Sequence, residues 1–403
     1  MSYFIVFVVF FTTLFAGGSK EGLAYINSLR THAGLIPFHT NSILTKTAKS
    51  HAKYLIRNQK MGHFQKKGKS AYSGKTPSQR ATHFGYASSI VMENISINTR
   101  NQKHAIDNLF SAIYHRFTFL NLISNQIGMS HSITKKRTKV KSAYVYNLGS
   151  SKLSTLCKRN FTLKSGRYYM KDVCKKSNKM IPLSLFDAKK EEIQRKNAKI
   201  ILYPYQGQKN IWPAFYNESP DPLPRYKVSG FPISVQCNPA YYKKVQLKSF
   251  RLYDETTGKE IKKTKILHAK NDPHHLIKKL DFALMPLARL SFSHTYRAVF
   301  KAKADGVSIK KSWKFSTTVP KEKLYRIAKN HSTINVRSGS TILVYIVPNN
   351  RRDIITSYST KAGLKAIFMD RNTLKITIPK QRLSSHLKIT FSNKKSLTLK
   401  INP

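Results

Sequence analysis

The chain has 403 residues, 40% of them hydrophobic and 11% aromatic, which excludes a disordered polyelectrolyte and leaves apolar side chains for two or three domains at roughly 150 residues each. Its charge is extreme, 72 Lys and Arg against 18 Asp and Glu for a formal +54, so its field attracts polyanions. No Cys/His finger spacing, RNP-type aromatic motif or basic region leading into heptads accompanies that charge, so the expected partner is an anionic cell-envelope polymer, glycan or lipid rather than nucleic acid.

The cations are not gathered into one stripe, and the plainest reading is a compositional bias spread over every surface. The densest run, KKRTKVK at 135–141, falls between two apolar segments and reads as a solvated hairpin loop.

The first residues, MSYFIVFVVFFTTLFAGGSK, hold an apolar run from Tyr3 to Ala16 followed by small residues. That length suits a signal-peptide core and is short of the ~20 residues of a bilayer span. The usual positive charges before such a core are absent, the first lysine being Lys20. Residues 1–19 are therefore a signal peptide or an uncleaved N-terminal anchor, and the rest is expected to be exported to the periplasm, the cell envelope or the medium.

Residues 20–150 read as mixed helix and strand. Leu23, Ile26 and Leu29 are spaced helically, and GLIPF then turns the chain into an extended piece. The clearest helix covers 41–58, with Asn41 as its cap and Leu44, Ala48, His51, Ala52 and Leu55 along one face. A loop bearing Gly62, Gly68, Gly74 and Pro77 leads to a short helix at 78–84 entered from TPSQ. SIVMENIS is extended, 102–115 is helical, and AYVYNLG alternates as a strand. The helix 102–115 ends in SAIYHR, where His115 and Arg116 either cap its dipole or, for His115, face a pocket.

After residue 150 the character changes. A mixed connector region spans 151–226 and includes the proline-rich PAFYNESPDPLPRY at 213–226, a stiff spacer. Residues 227–320, with YKVSGFPISVQCN, KVQLKSFRLYD, TYRAVFKAKA and SWKFSTTV joined by turns such as DETTG and KADG, read as a β-sandwich. Residues 321–403 add short strands, among them TILVYIVP, LKITIP and SLTLKI, for a second, smaller β domain. Trp212, Tyr216, Tyr241 and Tyr242 offer rings that stack on sugars, although core or turn positions are the commoner use of such residues.

Three cysteines are present. Cys157 and Cys174 are spaced to close a local disulfide loop in an oxidising compartment, leaving Cys237 over; three buried thiols are the alternative.

Four pieces of the first region carry chemistry: GHFQ at 62–65, TPSQRATHFGY at 76–86, MEN at 92–94 and AIYHR at 112–116. Taken singly, each has a structural explanation: His63 in a loop, Glu93 on a sheet face beside one of many lysines, His115 at a helix end. With AKSHAKY at 48–54 they fall in an order that resembles the bacterial form of the CAP superfamily, the cysteine-rich secretory, antigen 5 and pathogenesis-related 1 group. That form runs through an AxxHAxY-like helix, a GH loop, TPxxRAxxxGY, an xEN strand start and a helix ending in HR. The resemblance covers about a third of the chain.

It implies an α+β protein: an N-terminal α-β-α sandwich with an open cleft, followed by immunoglobulin-like β-sandwiches. Residue by residue, His63 and Glu93 match the first histidine and the glutamate of the cleft, and His115 the histidine of the HR helix. In some relatives such a pocket holds zinc or another divalent cation, and His63, Glu93 and His115 would be its ligands. Asn94 would fix the strand, and Arg80 would orient the carboxylate or meet an anionic ligand.

This chain departs from the eukaryotic pattern. The glutamate of the later helix falls near Ala112, and the histidine of a GHYTQ strand is replaced in AYVYNLG by Tyr and Asn. His51 reads as a core histidine rather than a fourth ligand, and His83 and His131 are weaker candidates still.

No nucleophile elbow or HExxH is present. The expected function is an exported protein binding a glycan, lipid or protein ligand in a His/Glu cleft. The alternative is a metal-assisted hydrolase of cell-wall or protein substrates, with Glu93, His63 and His115 activating water or donating a proton.

Overall fold

The structure, a computed structural model, describes residues 14–360, 364–380 and 386–402, with side chains described from Lys20. Most of the expected signal peptide or anchor lies outside the described residues, and 14–19 form the opening turns of the first helix. Among the described residues no helix is long and apolar enough to cross a membrane. The chain divides into two compact units, one holding the chain through Tyr203 with 235–245 and 304–307, the other holding 204–234, 246–303 and 308 onward.

The first unit opens with α1 (Leu14–His32), β1 (His39–Thr40) and α2 (Ser42–Asn58). Asn41 starts α2 as its spacing predicts, its Oδ1 accepting from the amides of Ile43 and Leu44 at 3.1 and 3.0 Å. Then come α3 (Pro77–His83), β2 (Met92–Ile97), α4 (Gln102–Ser111), α5 (Ile113–Phe119), β3 (Gln126–Ile133) and β4 (Ser142–Gly149). The strands form one sheet in the order β1-β3-β4-β2, so β2 is an edge. β1 runs parallel to β3, and the other pairs are antiparallel.

The apolar stripe of α2 buries Ala48, Ala52 and Leu55 against Ala143 and Val145 of β4, with Ile95 and Ile97 of β2 packed beside them. The close approach needs Gly128 on β3, where an added Cβ would fall 2.0 Å from the backbone carbon of Leu44. On the other face Phe119 stacks on Phe110, ring centres 5.2 Å apart, and meets Tyr146 edge-on at 5.3 Å. The two helical layers around the sheet make the α-β-α sandwich.

The helix expected over 102–115 is instead two helices. The backbone turns extended at Ala112 (φ −84°, ψ 119°) between α4 and α5. The reason lies in Arg116, which is fully buried and whose Nε donates to the Phe110 carbonyl at 2.6 Å. A side chain of the following helix thus satisfies an end carbonyl of α4. His115 accordingly sits inside α5 rather than at a helix end.

Residues 151–203 pack on this sandwich. Here α6 (Ser151–Lys158), the short pair β5 (Tyr169–Met170) and β6 (Ile181–Pro182), and α7 (Leu183–Gln194) follow. Leu153, Leu156, Val173, Ile181 and Phe186 form a small core that reaches Ala87, Ile90 and Ile123. Cys157 and Cys174 are joined in a disulfide, and Cys237 is buried and outside it. The bridged segment is pinned to the sandwich where the Lys175 amide donates to Ala87 O at 2.7 Å and the Ser89 amide to Val173 O at 3.0 Å. Replacing both bridged cysteines by serine is expected to cost about 3 kcal/mol, the loop-closure value for a loop of this length. Urea denaturation checks this: a midpoint unmoved by the double change, or by reductant, would show that the local core suffices.

In the second unit a five-stranded sheet runs in the order Lys259–Glu260, Val245–Asp254, Thr295–Ala304, Val307–Thr317, Gln208–Ile211. The strand pair Thr264–His268 and Asp281–Pro286 belongs to the other sheet of this sandwich. Phe250, Phe282 and Phe300 meet in its core, the outer two each 5.4 Å from Phe300. Residues from Lys323 onward make two four-stranded sheets around one aliphatic core that includes Val344, Leu374, Ile389 and Leu399. These are the immunoglobulin-like β-sandwiches expected after the first domain. Trp212 and Tyr216 are taken up by structure: the indole Nε1 and the Tyr216 hydroxyl donate to the two oxygens of Asp370 at 2.9 and 2.6 Å, beside Arg289.

Candidate functional site

The centre of the site is Glu93, the second residue of edge strand β2, whose side chain is fully buried. Strand alternation turns it to the α2 face, the side of Ile95 and Ile97. An isolated carboxylate there would be neutral, so its surroundings decide its state. Arg80, also fully buried, spans both carboxylate oxygens with Nη2 at 2.8 Å each. His63 Nδ1 lies 3.0 Å from Oε1. Asn147, cross-strand from Glu93 on β4, donates its amide nitrogen to Oε2 at 3.1 Å and accepts from the Ala48 amide at 3.1 Å. Burial by itself would raise the Glu93 pKa, but the His51 ring, the His63 hydrogen bond and Arg80 outweigh it and hold the carboxyl below its ordinary value.

Local sequence explains why Arg80 is there. Thr76 and Gln79 form a reciprocal capping box at the start of α3, with Pro77 in its first turn. That start sets Arg80 one turn in, where Nη1 donates to the His63 carbonyl at 2.9 Å. The guanidinium therefore grips the GH loop and the carboxylate together.

His51 has a third role, set by a chain of fixed donors. The Ser73 amide donates to Gln65 Oε1 at 2.8 Å, so Gln65 Nε2 is the end that meets His51 Nδ1 at 2.9 Å. Nδ1 must then accept, which places the proton on Nε2, 3.1 Å from the Gly62 carbonyl. The ring is neutral: burial pushes its pKa down to about 4, against the pull of Glu93. His51 thus holds Gly62, and with it the adjacent His63, in position.

His63 opens the cluster to solvent. Its side chain is 35% exposed, while those of Glu93, Arg80 and His51 are at 0%. With Nδ1 directed at Glu93, its Nε2 has no protein partner among the described residues. Met61 and Phe64 flank it in sequence and are 50% and 66% exposed.

Of the residues expected at the cleft, then, His63, Arg80 and Glu93 come together. Asn94 faces the opposite side of β2, is fully buried, and donates Nδ2 to the His115 carbonyl at 2.9 Å. It ties α5 to the strand and is not open to a ligand. Through that bond the backbone of His115, a half-buried residue, is tied to β2. His83 lies edge-on to Phe84 and His131 stacks on Tyr144, both outside the cluster.

A divalent cation at Glu93 would compete with Arg80 for both oxygens. His63, Glu93 and His115 are not arranged as a ligand set, and among the described residues no group of three or more His, Cys, Asp or Glu side chains could hold a metal ion. The chemistry of the site follows from the His63–Glu93–Arg80 cluster. Gln65 and Asn147 were given no role by the sequence. Gln65 stands two residues after His63 in the quoted GHFQ, and Asn147 in the strand where relatives are expected to carry a histidine.

An α-β-α sandwich whose GH loop, capped TPSQR helix and MEN strand converge on one buried carboxylate is the architecture that the ordered motifs led one to expect. Residues 23–147 are a CAP domain, matching the Cysteine-rich secretory protein family. The chain is also similar to an outer surface protein from Borrelia burgdorferi, 19% identical over 33% of this chain and 92% of that one, with a TM-score of 0.29. It is similar to an extracellular protein containing a SCP domain from Bacillus anthracis, 17% identical over 34% of this chain and 42% of that one, TM-score 0.29. A tandem of titin Ig domains matches at 13% identity over 50% of this chain and 96% of that one, TM-score 0.17. No curated protein matches the chain.

Proposed function

We propose that this chain is an exported binding protein whose CAP domain takes its ligand at His63. The observation that carries the reading is the buried, ionised Glu93 spent on orienting one half-exposed imidazole, an outlay that folding alone does not require. Glu93 fixes the ring through Nδ1 and leaves Nε2 for a ligand oxygen or N–H, and Met61 and Phe64 add exposed apolar surface beside it. The ligand this suits is a glycan or lipid with a hydrogen-bonding group next to an apolar face. Export is supported by the disulfide, by the apolar run Tyr3–Ala16 and by the secretory family to which the domain belongs. Outside the cell a formal +54 gives the whole chain affinity for anionic polymers.

The test compares the protein with its His63→Ala variant for binding to a panel of cell-envelope glycans and to phospholipid vesicles. The variant is expected to lose about tenfold in affinity for whichever ligand the protein binds, the worth of one hydrogen bond of about 1.4 kcal/mol. Its thermal midpoint should stay within about 2 °C, since the side chain is partly exposed. Equal binding by both proteins rejects the site.

A second reading is favoured by the same pair. A carboxylate holding Nδ1 of a histidine with a free Nε2 is the geometry of a general base. Turnover of a cell-wall substrate that disappears in His63→Ala while its thermal midpoint is kept would select the hydrolase.

A further inference from the structure

The outer face of the five-stranded sheet breaks a rule of strand pairing. Its neighbouring strands Thr295–Ala304 and Val307–Thr317 are joined by Asp305 and Gly306, both at positive φ (46° and 91°), as in a two-residue type I′ hairpin. Such a turn sets Ala304 opposite Val307, and therefore Lys301 opposite Lys310 and Arg297 opposite Lys314. Tyr296, Ala298, Phe300, Ala302, Trp313 and Phe315 point inward and are buried. The alternate positions face outward, where Lys301, Lys303, Lys310 and Lys314 are exposed. Like charges directly opposite each other destabilise a sheet.

At one end of the face an internal acid resolves the conflict. Arg297 Nε donates to Glu255 Oε1 at 2.8 Å, and Lys314 Nζ lies 2.8 Å from Oε2 of the same carboxylate. Four residues along, at about 3.3 Å per residue, Lys301 and Lys310 oppose each other with Lys303 beside them. No ion pair from the described residues reaches any of the three.

The rest of the face narrows the partner. Ser308 and Ser312, outward and exposed, offer hydroxyls among the lysines. Tyr253 is half-buried, with the Arg297 guanidinium 4.6 Å over its ring, so the face presents no open ring for base stacking. Val299, outward between the lysines, is buried and gives a bilayer nothing to take up. Cations and hydroxyls side by side on an exposed sheet face match a charged sugar chain.

We propose that this face, centred on Lys301, Lys303 and Lys310, binds an extended acidic polysaccharide, with an anionic group of the polymer seated between Lys301 and Lys310 as Glu255 sits between Arg297 and Lys314. The proposal rests on the reading of the chain as a binder of anionic polymers and gives that affinity an address.

The experiment measures affinity for polygalacturonate at ~0.15 M salt, with single-stranded DNA and anionic phospholipid vesicles in parallel. The triple variant Lys301→Gln/Lys303→Gln/Lys310→Gln is expected to lose at least about tenfold, with a shallower salt dependence. A control that removes as much charge from the last domain, Lys365→Gln/Lys388→Gln/Lys400→Gln, should lose less than about twofold. Lys310→Glu, which pairs with Lys301, should raise the thermal midpoint while lowering binding. Equal losses in the two triple variants, intact binding by Lys310→Glu, or tighter binding of DNA or vesicles overturns the proposal. A protein that binds none of the three probes rejects the polyanion reading itself.

Discussion

Arg80→Met is expected to destabilise the first unit by about 3–5 kcal/mol, because it leaves the fully buried Glu93 without its cation. The deleted guanidinium makes contacts to both carboxylate oxygens and to the His63 carbonyl, so the GH loop loosens along with the charge. Glu93→Leu should cost a similar amount for the converse reason, a buried guanidinium left without its carboxylate. The double variant Arg80→Met/Glu93→Leu is expected to recover most of the loss, since a desolvated ion pair contributes little net stability over a packed apolar pair. Arg80 Nε, buried without a partner, already marks the cost of keeping the charge inside. Denaturant titration of the four proteins completes the cycle. If Arg80→Met costs less than about 1 kcal/mol, the pair is not the centre of the site. If the double variant is as stable as the parent yet binds nothing at His63, the pair serves function rather than folding.

Acidification is expected to weaken the same unit well before ordinary carboxylates titrate. His51 is held at about 4 in the folded protein by burial and returns to 6.5 when unfolded. Between those values the unfolded chain binds the proton and the folded one does not, so unfolding takes up a proton and stability falls as pH falls. At about 1.4 kcal/mol per pH unit the loss reaches about 3 kcal/mol by pH 4. Glu93 acts in the same direction at lower pH: its folded pKa lies below the ordinary 4.5, and the stability it contributes above that value is lost as pH drops through the folded one. Two phases are therefore expected, the upper one due mainly to His51, with smaller shares from His104 and His131, which burial also holds below the ordinary imidazole value. His51→Gln should remove most of the dependence between about pH 6.5 and 5 and leave the acid phase. A dependence in that interval unchanged by the substitution would mean that another group carries it.

The elements of the first domain were largely legible because their signals are local. Asn41 with the stripe Leu44, Ala48 and Leu55 defines α2, and Thr76 with Gln79 defines the start of α3. The break at Ala112 was not legible: the apolar spacing of Ile106, Leu109, Phe110 and Ile113 runs straight through it. What ends α4 is Arg116 returning to the Phe110 carbonyl, a contact that periodicity cannot express. Residues 151–203 carry no composition that distinguishes a connector from a layer, and only their packing against Ala87, Ile90 and Ile123 joins them to the sandwich.

At the site the ordered motifs, through their resemblance to one family, pointed to His63, Arg80 and Glu93, which the fold brings into contact. Asn94 and Glu93 are adjacent in sequence, yet strand alternation sends them to opposite faces, so a motif that treats them as a pair merges a cleft residue with an internal tie.

By itself the sequence determined most of the secondary structure signals, the extreme positive charge and the motifs that carry His63, Arg80 and Glu93, because caps, apolar periods and motif order are written in neighbouring letters. Only the tertiary structure decided that His51 is neutral, that Gln65 and Asn147 serve the cluster, and that Lys301 faces Lys310 while Glu255 pairs with Arg297 and Lys314. Those outcomes depend on which groups from distant segments are buried together. Burial sets both the protonation of a ring and whether a charge finds its partner.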